Sequence, residues 1–385
     1  MDITKPLALL GNLSPQGFMK RHWQKKPLLI RQAISAFKPL LSRGELFALA
    51  GRDGVESRLV MRQASRAANK SAWQLKTGPL ARRSLPSLKT PDWTLLVQGV
   101  DLQIPAMREL MDQFRFVPDA RLDDVMVSFA TPGGGVGPHF DSYDVFLLQA
   151  LGTRRWRISR QKDLALQVGA PLKILKNFVP EQSFDLAPGD MLYLPPGYAH
   201  DGTAINECMT YSIGFRAPGR GEVARELLQR VADDAQDDIG NALYRDAAQG
   251  AVQAAAEIPA GLMAFARKAL LDVANNQQTL ARALGELLTE PKPSVWFDAN
   301  DASGDDECWS SISQGLVLDR RSKMMFDARH IFINGESFAA SGRDATLMRQ
   351  LANDRWLNGA ACAKVSVGAK SLLLDWMQAG WIHGT

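Results

Sequence analysis

Two stretches carry residues whose types and spacing could do chemistry. They are "GGGVGPHFDSYDVF" at 133–146 and "LAPGDMLYLPPGYAH" at 186–200. The first alternates after its glycines, and in a strand residues of equal parity share a face. That expectation puts His139, Asp141 and Tyr143 on one face. The second stretch has a Pro-Gly-Asp turn, the apolar run "MLYLP", a further Pro-Gly turn and then His200. Two imidazoles and one carboxylate can hold one metal ion and leave coordination positions open, the donor set associated with non-haem Fe(II) oxygenases. An H-x-D pair alone is commonly incidental. Joined to P-G-D and P-P-G-x-x-H in a β-rich stretch, it is a specific signal. The glycines also suggest a phosphate cradle, but such a loop should open a helix. Here it leads into aromatic and β-branched residues instead. His22, His330 and His383 have no comparable partners and read as structural or surface residues.

A second clue follows in "GTRRWRIS", where Arg154, Trp156 and Ile158 share one face and Arg155 and Arg157 the other. If the apolar face points inward, Arg154 is buried with it, which is costly for an unpaired guanidinium. A bound dicarboxylate, held by bidentate charge-assisted bonds, is one partner. An internal carboxylate is the other.

The elements that must position these groups are short. "DVMVSFATP", "DVFLLQALG", "RWRIS" and "DMLYLPPG", all within 120–216, are punctuated by Gly and Pro and predict an antiparallel barrel or sandwich. Parity in "DVMVSFA" groups Asp124, Met126 and Ser128 opposite Val125, Val127 and Phe129. Upstream, "RHWQKKPLLIRQA" reads as a helix end running into a strand. Residues 217–290 are Ala/Leu-rich with helical apolar spacing, and "TEPKPS" reads as a linker. In the last 95 residues, "HIFINGESF" predicts a hairpin with an Asn-Gly turn. "DATLMRQLANDR" and "SLLLDWMQAGW" predict helices, together a winged-helix-like unit. Residues 340–385 hold five basic and three acidic residues, a balance that favours protein interaction over nucleic-acid binding there. "DANDASGDDE" reads as a solvated acidic turn.

Composition bounds the class. With 385 residues, 46% hydrophobic and 22% charged, the chain has enough apolar content for two or three globular domains. Cys208, Cys308 and Cys362 have no paired spacing, which excludes a thiolate zinc site and predicts a reducing, cytoplasmic setting. No signal peptide or membrane span is expected. The net charge of +4 conceals an asymmetry, because residues 1–90 carry 17 Lys and Arg against 4 Asp and Glu. A basic lobe of that kind could face RNA or an RNA-rich assembly, or simply be solvated.

"GGGVGPHFDSYDVF", "GTRRWR", "PGDMLYLPPGYAH" and "YSIGFRAP" resemble the JmjC-type 2-oxoglutarate-dependent ribosomal oxygenases. The likeness reaches from "HWQKKPLLIR" to the C-terminal unit and is densest at 120–218. It implies an α+β chain in three parts. A double-stranded β-helix (cupin/JmjC jelly-roll) with its N-terminal lobe occupies 1–216, a helical dimerisation domain 217–290, and a winged-helix-like domain 291–385. The resemblance further implies Fe(II) on His139, Asp141 and His200, 2-oxoglutarate on Arg154 with Ser128 as a further contact, and O2 as cosubstrate. It places a substrate-arginine pocket at Asp124, Met126, Tyr143 and Ser212, and a homodimer through the helical region. The implied substrate is a ribosomal protein, with large-subunit ribosomal protein sixteen expected. Two other readings compete. A lysine-directed hydroxylase or demethylase would favour an aromatic cage, whereas Asp124 with Tyr143 suits a planar guanidinium. A silent metal-binding ribosome-assembly factor would not need both the triad and Arg154.

Overall fold

The computed structural model describes residues 1–62, 73–299 and 305–385. They form two units, Met1–Ala217 and Pro218–Thr385. The first is built on strands β1 (Leu28–Ile30), β2 (Ser57–Arg62), β3 (Trp73–Thr77), β4 (Trp93–Val97), β5 (Leu122–Ala130), β6 (Val145–Leu151), β7 (Arg154–Ser159), β8 (Gln182–Leu186), β9 (Met191–Leu194), β10 (Ala199–Ala204) and β11 (Cys208–Phe215). Helices α1 (Pro15–Arg21), α2 (Arg43–Ala50) and α3 (Pro105–Asp112) accompany them. Eight strands make one antiparallel sheet in the order β1-β9-β6-β11-β5-β4-β2-β3, and three make a second, β10-β7-β8.

Alternation along β5 shows why the two sheets face each other. Val125, Val127 and Phe129 enter a large core with Phe18, Phe47, Met107 and Phe114 from the N-terminal elements. Each such side chain, fully buried, contributes about 1.5–3 kcal/mol. The other face of the large sheet meets the small one. Val145 and Leu147 of β6 and Leu192 and Leu194 of β9 pack with Trp156 and Ile158 of β7 and Leu186 of β8. That interior is the jelly-roll interior, the expected double-stranded β-helix, and polar residues on its lining strands stand out.

Parity fails at one point. β6 begins only at Val145, and residues 140–144 are irregular, so His139, Asp141 and Tyr143 do not lie on one strand. Carbonyls of that stretch are taken by single amides outside any ladder, that of Asp141 by Gly197 at 2.8 Å and that of Asp144 by Phe215 at 3.1 Å. His139 instead forms an isolated bridge with His200, through amide bonds of 2.9 and 2.7 Å. The glycines serve this path. A Cβ at Gly133, Gly134 or Gly135 would lie 2.2 Å from Asp92 Oδ1, 2.3 Å from the Trp93 carbonyl or 2.5 Å from the Gly202 carbonyl. They let the chain pass close to the Asp92 side chain and to the backbone of Trp93 and Gly202, and no phosphate is needed to explain them.

The second unit contains α4 (Arg220–Ile239), α5 (Ala260–Asn275), α6 (Gln277–Thr289), α7 (Asp305–Ile312), β12 (Gly315–Leu318), β13 (Met324–Phe326), β14 (His330–Ile333) and β15 (Glu336–Ala339). It continues with α8 (Gly342–Asp354), β16 (Trp356–Asn358), α9 (Gly359–Cys362), α10 (Val367–Gln378) and β17 (Ile382–Gly384). Asn276 ends α5 and caps α6, its side chain accepting from the amides of Gln278 and Thr279. The predicted hairpin is β14–β15. Helix α6 is tied to it, with Ser337 Oγ donating to Glu286 at 2.6 Å and the Gly335 amide donating to Thr289 Oγ1 at 3.1 Å. The sequence boundary at 290/291 therefore falls inside this unit. The acidic stretch at 298–307 lies partly outside the described residues, as do Arg66 and Lys70 of the basic lobe.

Candidate active site

The jelly-roll interior opens into a cavity of about 480 Å³. Its walls include His139, Asp141, Tyr143, Arg154, Trp156 and His200, with Asp124, Met126, Ser128 and Ser212 along β5 and β11. Register brings these two strands together, since Ser212 pairs with Met126 and Thr210 with Ser128. All nine sequence-predicted residues thus line one cavity.

At one end, single ligand atoms of His139, Asp141 and His200 lie within 4.8 Å of one another. Among the described residues no other such cluster occurs. His200 Nε2 is 3.6 Å from Asp141 Oδ2, and the two imidazole centroids are 4.2 Å apart. Each Nδ1 faces a backbone carbonyl, that of Gly137 at 2.8 Å for His139 and that of Tyr198 at 2.9 Å for His200. A carbonyl only accepts, so each Nδ1 carries the proton and each Nε2 presents a lone pair. Burial, reinforced by His139, lowers the His200 imidazole below its ordinary range and keeps it neutral. The donor set therefore suits a divalent ion with open positions.

In the same cavity, Arg154 is 5% exposed. Its Nη1 donates to Ser128 Oγ at 3.3 Å, while Nε and Nη2 have no partner. The neighbouring guanidiniums on the outer face are paired, Arg155 with Asp185 and Arg157 with Asp201. Arg154 has no such carboxylate among the described residues, so the internal salt bridge considered from sequence is not formed. Gly152 (φ +61°) makes the turn before it, where a Cβ would lie 2.0 Å from the Glu207 carbonyl. Also lining this cavity, Asp124 is buried and its Oδ2 accepts from the Gly99 amide at 3.1 Å. Tyr143 is half-exposed. Burial, with Asp141 and Asp124 nearby, pushes its phenol up, so the hydroxyl stays protonated.

Comparison with known proteins agrees with this arrangement. The JmjC domain family matches residues 109–223 and the ROXA-like winged helix family residues 272–383. The Escherichia coli (strain K12) ribosomal protein uL16 3-hydroxylase is 34% identical over 335 residues, 85% of this chain and 86% of that protein. The chain belongs to the JmjC ribosomal oxygenases. An X-ray structure of Escherichia coli YcfD superposes with a TM-score of 0.84 at 30% identity, covering 96% of this chain and 97% of that one. YcfD in complex with cobalt and 2-oxoglutarate gives 0.81 at 30% identity, covering 96% and 98%.

Sequence reasoning about this oxygenase missed part of the lining. Arg58 of β2, Leu75 of β3, Leu96 of β4 and nearby Gln98 form one wall, and Lys173 another. "SRLVMR" and "WTLLVQ" do alternate, but nothing local shows that β4 joins β5 and extends the barrel sheet. The remaining histidines are held locally. His22 faces the Pro27 carbonyl, His330 faces Asp327 and His383 faces Asp319.

Proposed function

We propose that this protein is a 2-oxoglutarate- and Fe(II)-dependent dioxygenase that hydroxylates an arginine side chain of a large-subunit ribosomal protein, uL16. The observation that carries the reading is Arg154, a buried guanidinium with two unpartnered donors, in the same cavity as a His-Asp-His cluster. A dicarboxylate whose far end meets Arg154 and Ser128 can place its near end at that cluster. Bound iron and 2-oxoglutarate supply the oxidising chemistry, in which the cosubstrate and O2 give succinate and CO2 as one oxygen atom enters a substrate C–H bond.

This chain's residues hold, orient and exclude. His139, Asp141 and His200 fix the ion, with their geometry set by the carbonyls of Gly137 and Tyr198. Arg154 and Ser128 orient the cosubstrate. Val145, Leu147 and Trp156 line the cavity and keep it dry on the barrel side. In the same cavity, Asp124 accepts from the target guanidinium, which Tyr143 stacks on, while Met126 and Ser212 complete the slot. The support for arginine is chemical, since a planar fork meets a carboxylate and a ring at once, whereas lysine offers a point charge. The relative named a uL16 3-hydroxylase supports the substrate protein. The test is mass spectrometry of two uL16 peptides, differing by arginine or lysine at the target position, after incubation with enzyme, Fe(II) and 2-oxoglutarate. Arginine-only hydroxylation is expected, and equal modification of both would overturn the assignment.

A homodimer through the helical region belongs to the same proposal. Helix α5 leaves Leu262, Met263, Phe265, Leu270 and Leu271 exposed, more apolar surface than a solvated helix carries. The basic lobe, with Lys20, Arg21, Lys25 and Lys26 all exposed around the end of α1, is proposed to meet ribosomal RNA.

A further inference from the structure

The conformation of residues 140–144 is set at both ends. Near Asp141 the tie is direct, because the Gly197 amide donates to the Asp141 carbonyl at 2.8 Å. The other end is Asp144, fully buried beside the large core and three residues beyond the metal-side carboxylate. Tyr193 Oη donates to Asp144 Oδ1 at 2.6 Å. Gln24 Nε2 and Arg121 Nη2 donate to Oδ2 at 3.1 and 3.3 Å. The Phe215 amide donates to the Asp144 carbonyl at 3.1 Å. Burial and the adjacent Asp144 push the Tyr193 phenol up, so it remains a donor.

The partners are themselves held. The Gln24 amide donates to Tyr193 Oη at 2.8 Å, so this one residue touches both members of the pair. It does so from a left-handed backbone conformation, φ +55°, which is uncommon for a residue with a side chain. Trp23 stacks on Tyr193 with centroids 6.1 Å apart, and Arg121 lies 5.5 Å over the Trp23 ring. Arg121 Nε also donates to the Arg216 carbonyl. The "HWQKKP" turn after α1 is therefore packed against the residue that ends the metal-bearing loop.

We infer that Gln24, Tyr193 and Arg121 act through Asp144 as positioning residues, fixing the loop that carries Asp141 and Tyr143 and so setting metal affinity and geometry. The inference rests on His139, Asp141 and His200 being metal ligands. Outer partners of metal ligands typically matter about 10–100-fold in affinity. Here the coupling runs through three residues of backbone, so the low end is expected.

The experiment is calorimetric titration of the full chain with Co(II), together with the visible absorption of bound Co(II). The parent is compared with Tyr193→Phe, Gln24→Ala and a control, Phe47→Leu, whose ring packs on Trp93 and Phe129 away from Asp144. Tyr193→Phe should weaken Co(II) binding about tenfold and shift its absorption. Gln24→Ala should do the same to a smaller extent. Phe47→Leu should lower Tm yet leave both readouts at parental values. If both network variants bind Co(II) as the parent does, with an unchanged spectrum, Asp144 is only core packing and the inference falls. Should Tyr193→Phe fail to fold, Gln24→Ala decides alone. A parent that does not bind Co(II) would instead refute the ligand assignment on which the inference rests.

Discussion

Replacing Arg154 by Met separates the two meanings a buried guanidinium can have. In the structure the side chain is 5% exposed and makes one hydrogen bond, to Ser128, leaving Nε and Nη2 unpartnered. If those donors await a carboxylate, removing them deletes two charge-assisted bonds worth roughly 1.5–3 kcal/mol each, or roughly 3–6 kcal/mol together. At 1.4 kcal/mol per tenfold, the 2-oxoglutarate Kd should rise about 10²–10⁴-fold. Without ligand the sign reverses. A buried charge lacking a partner is a cost, and an apolar side chain of similar length relieves it. Arg154→Met should therefore unfold at the same temperature as the parent or higher when 2-oxoglutarate is absent, and lose the thermal shift the cosubstrate gives the parent. Arg154→Lys should recover part of that shift, keeping the charge but losing the fork. The assay is thermal unfolding with Co(II), with and without 2-oxoglutarate, alongside calorimetric affinity. A ligand-free Arg154→Met protein destabilised by about 3–5 kcal/mol would show that Arg154 pairs with an internal carboxylate. Unchanged cosubstrate affinity would show that another cation holds it.

Asp141→Ala, His139→Ala and His200→Ala should each stay folded and lose turnover, and residual hydroxylation by soluble Asp141→Ala would contradict the triad. Asp124→Ala should lower kcat/KM for the arginine peptide about 10–100-fold, for one charge-assisted interaction of roughly 1.5–3 kcal/mol. Its Co(II) and 2-oxoglutarate affinities should hold, which calorimetry checks. Leu270→Asp with Met263→Asp should convert a dimer to a monomer in light scattering, whereas a parent already monomeric at micromolar concentration would refute the interface. In the second unit, burial alone would raise the Asp319 carboxyl, but His383 and Arg321 hold it well below the ordinary carboxylate range. A depressed folded pKa stabilises above the unfolded value and is lost as pH falls through the folded one. Asp319→Asn should thus cost about 3–5 kcal/mol at pH 7, with a gap to the parent that narrows below about pH 4. A gap constant down to pH 2 would exclude this linkage.

The metal cluster was legible because its signal is chemical and local. The H-x-D pair and the P-P-G-x-x-H run each fit in a short window of sequence. The geometry behind it was not legible. Parity on one strand assigned His139, Asp141 and Tyr143 a common face, but residues 140–144 are irregular, and the cluster forms through the His139–His200 bridge. Parity succeeded where a real strand exists, and Asp124, Met126 and Ser128 do line the cavity. The N-terminal wall escaped notice because its strands join the sheet through non-local pairs, β4 with β5 and β2 with β4, which no window of sequence contains. Sequence context already argued against a phosphate loop, but what the glycines do instead was hidden for the same reason. What they approach is distant in sequence, the Asp92 side chain and the backbone of Trp93 and Gly202.

Buried charge is treated in two ways within this barrel, and the difference separates ligand site from scaffold. Asp144 is fully buried and bonded by Tyr193, Gln24 and Arg121, so its desolvation is offset inside the protein. Arg154 is nearly as buried yet hydrogen-bonded only to Ser128, with the Trp156 ring 5.7 Å from its guanidinium, and most of its cost is carried by the folded protein until something outside offsets it. A scaffold gains nothing from the second arrangement. Stability alone would favour an apolar residue at 154 or a carboxylate beside it, and the described residues of the barrel offer neither. Position reinforces the point, because Arg154 lines the same cavity as the two imidazoles and Asp141. A silent metal-binding factor would need the cluster but not the unpaired cation. An oxygenase that must admit, orient and release a dicarboxylate in every cycle needs both, and it needs the cation unpaired whenever the dicarboxylate is away.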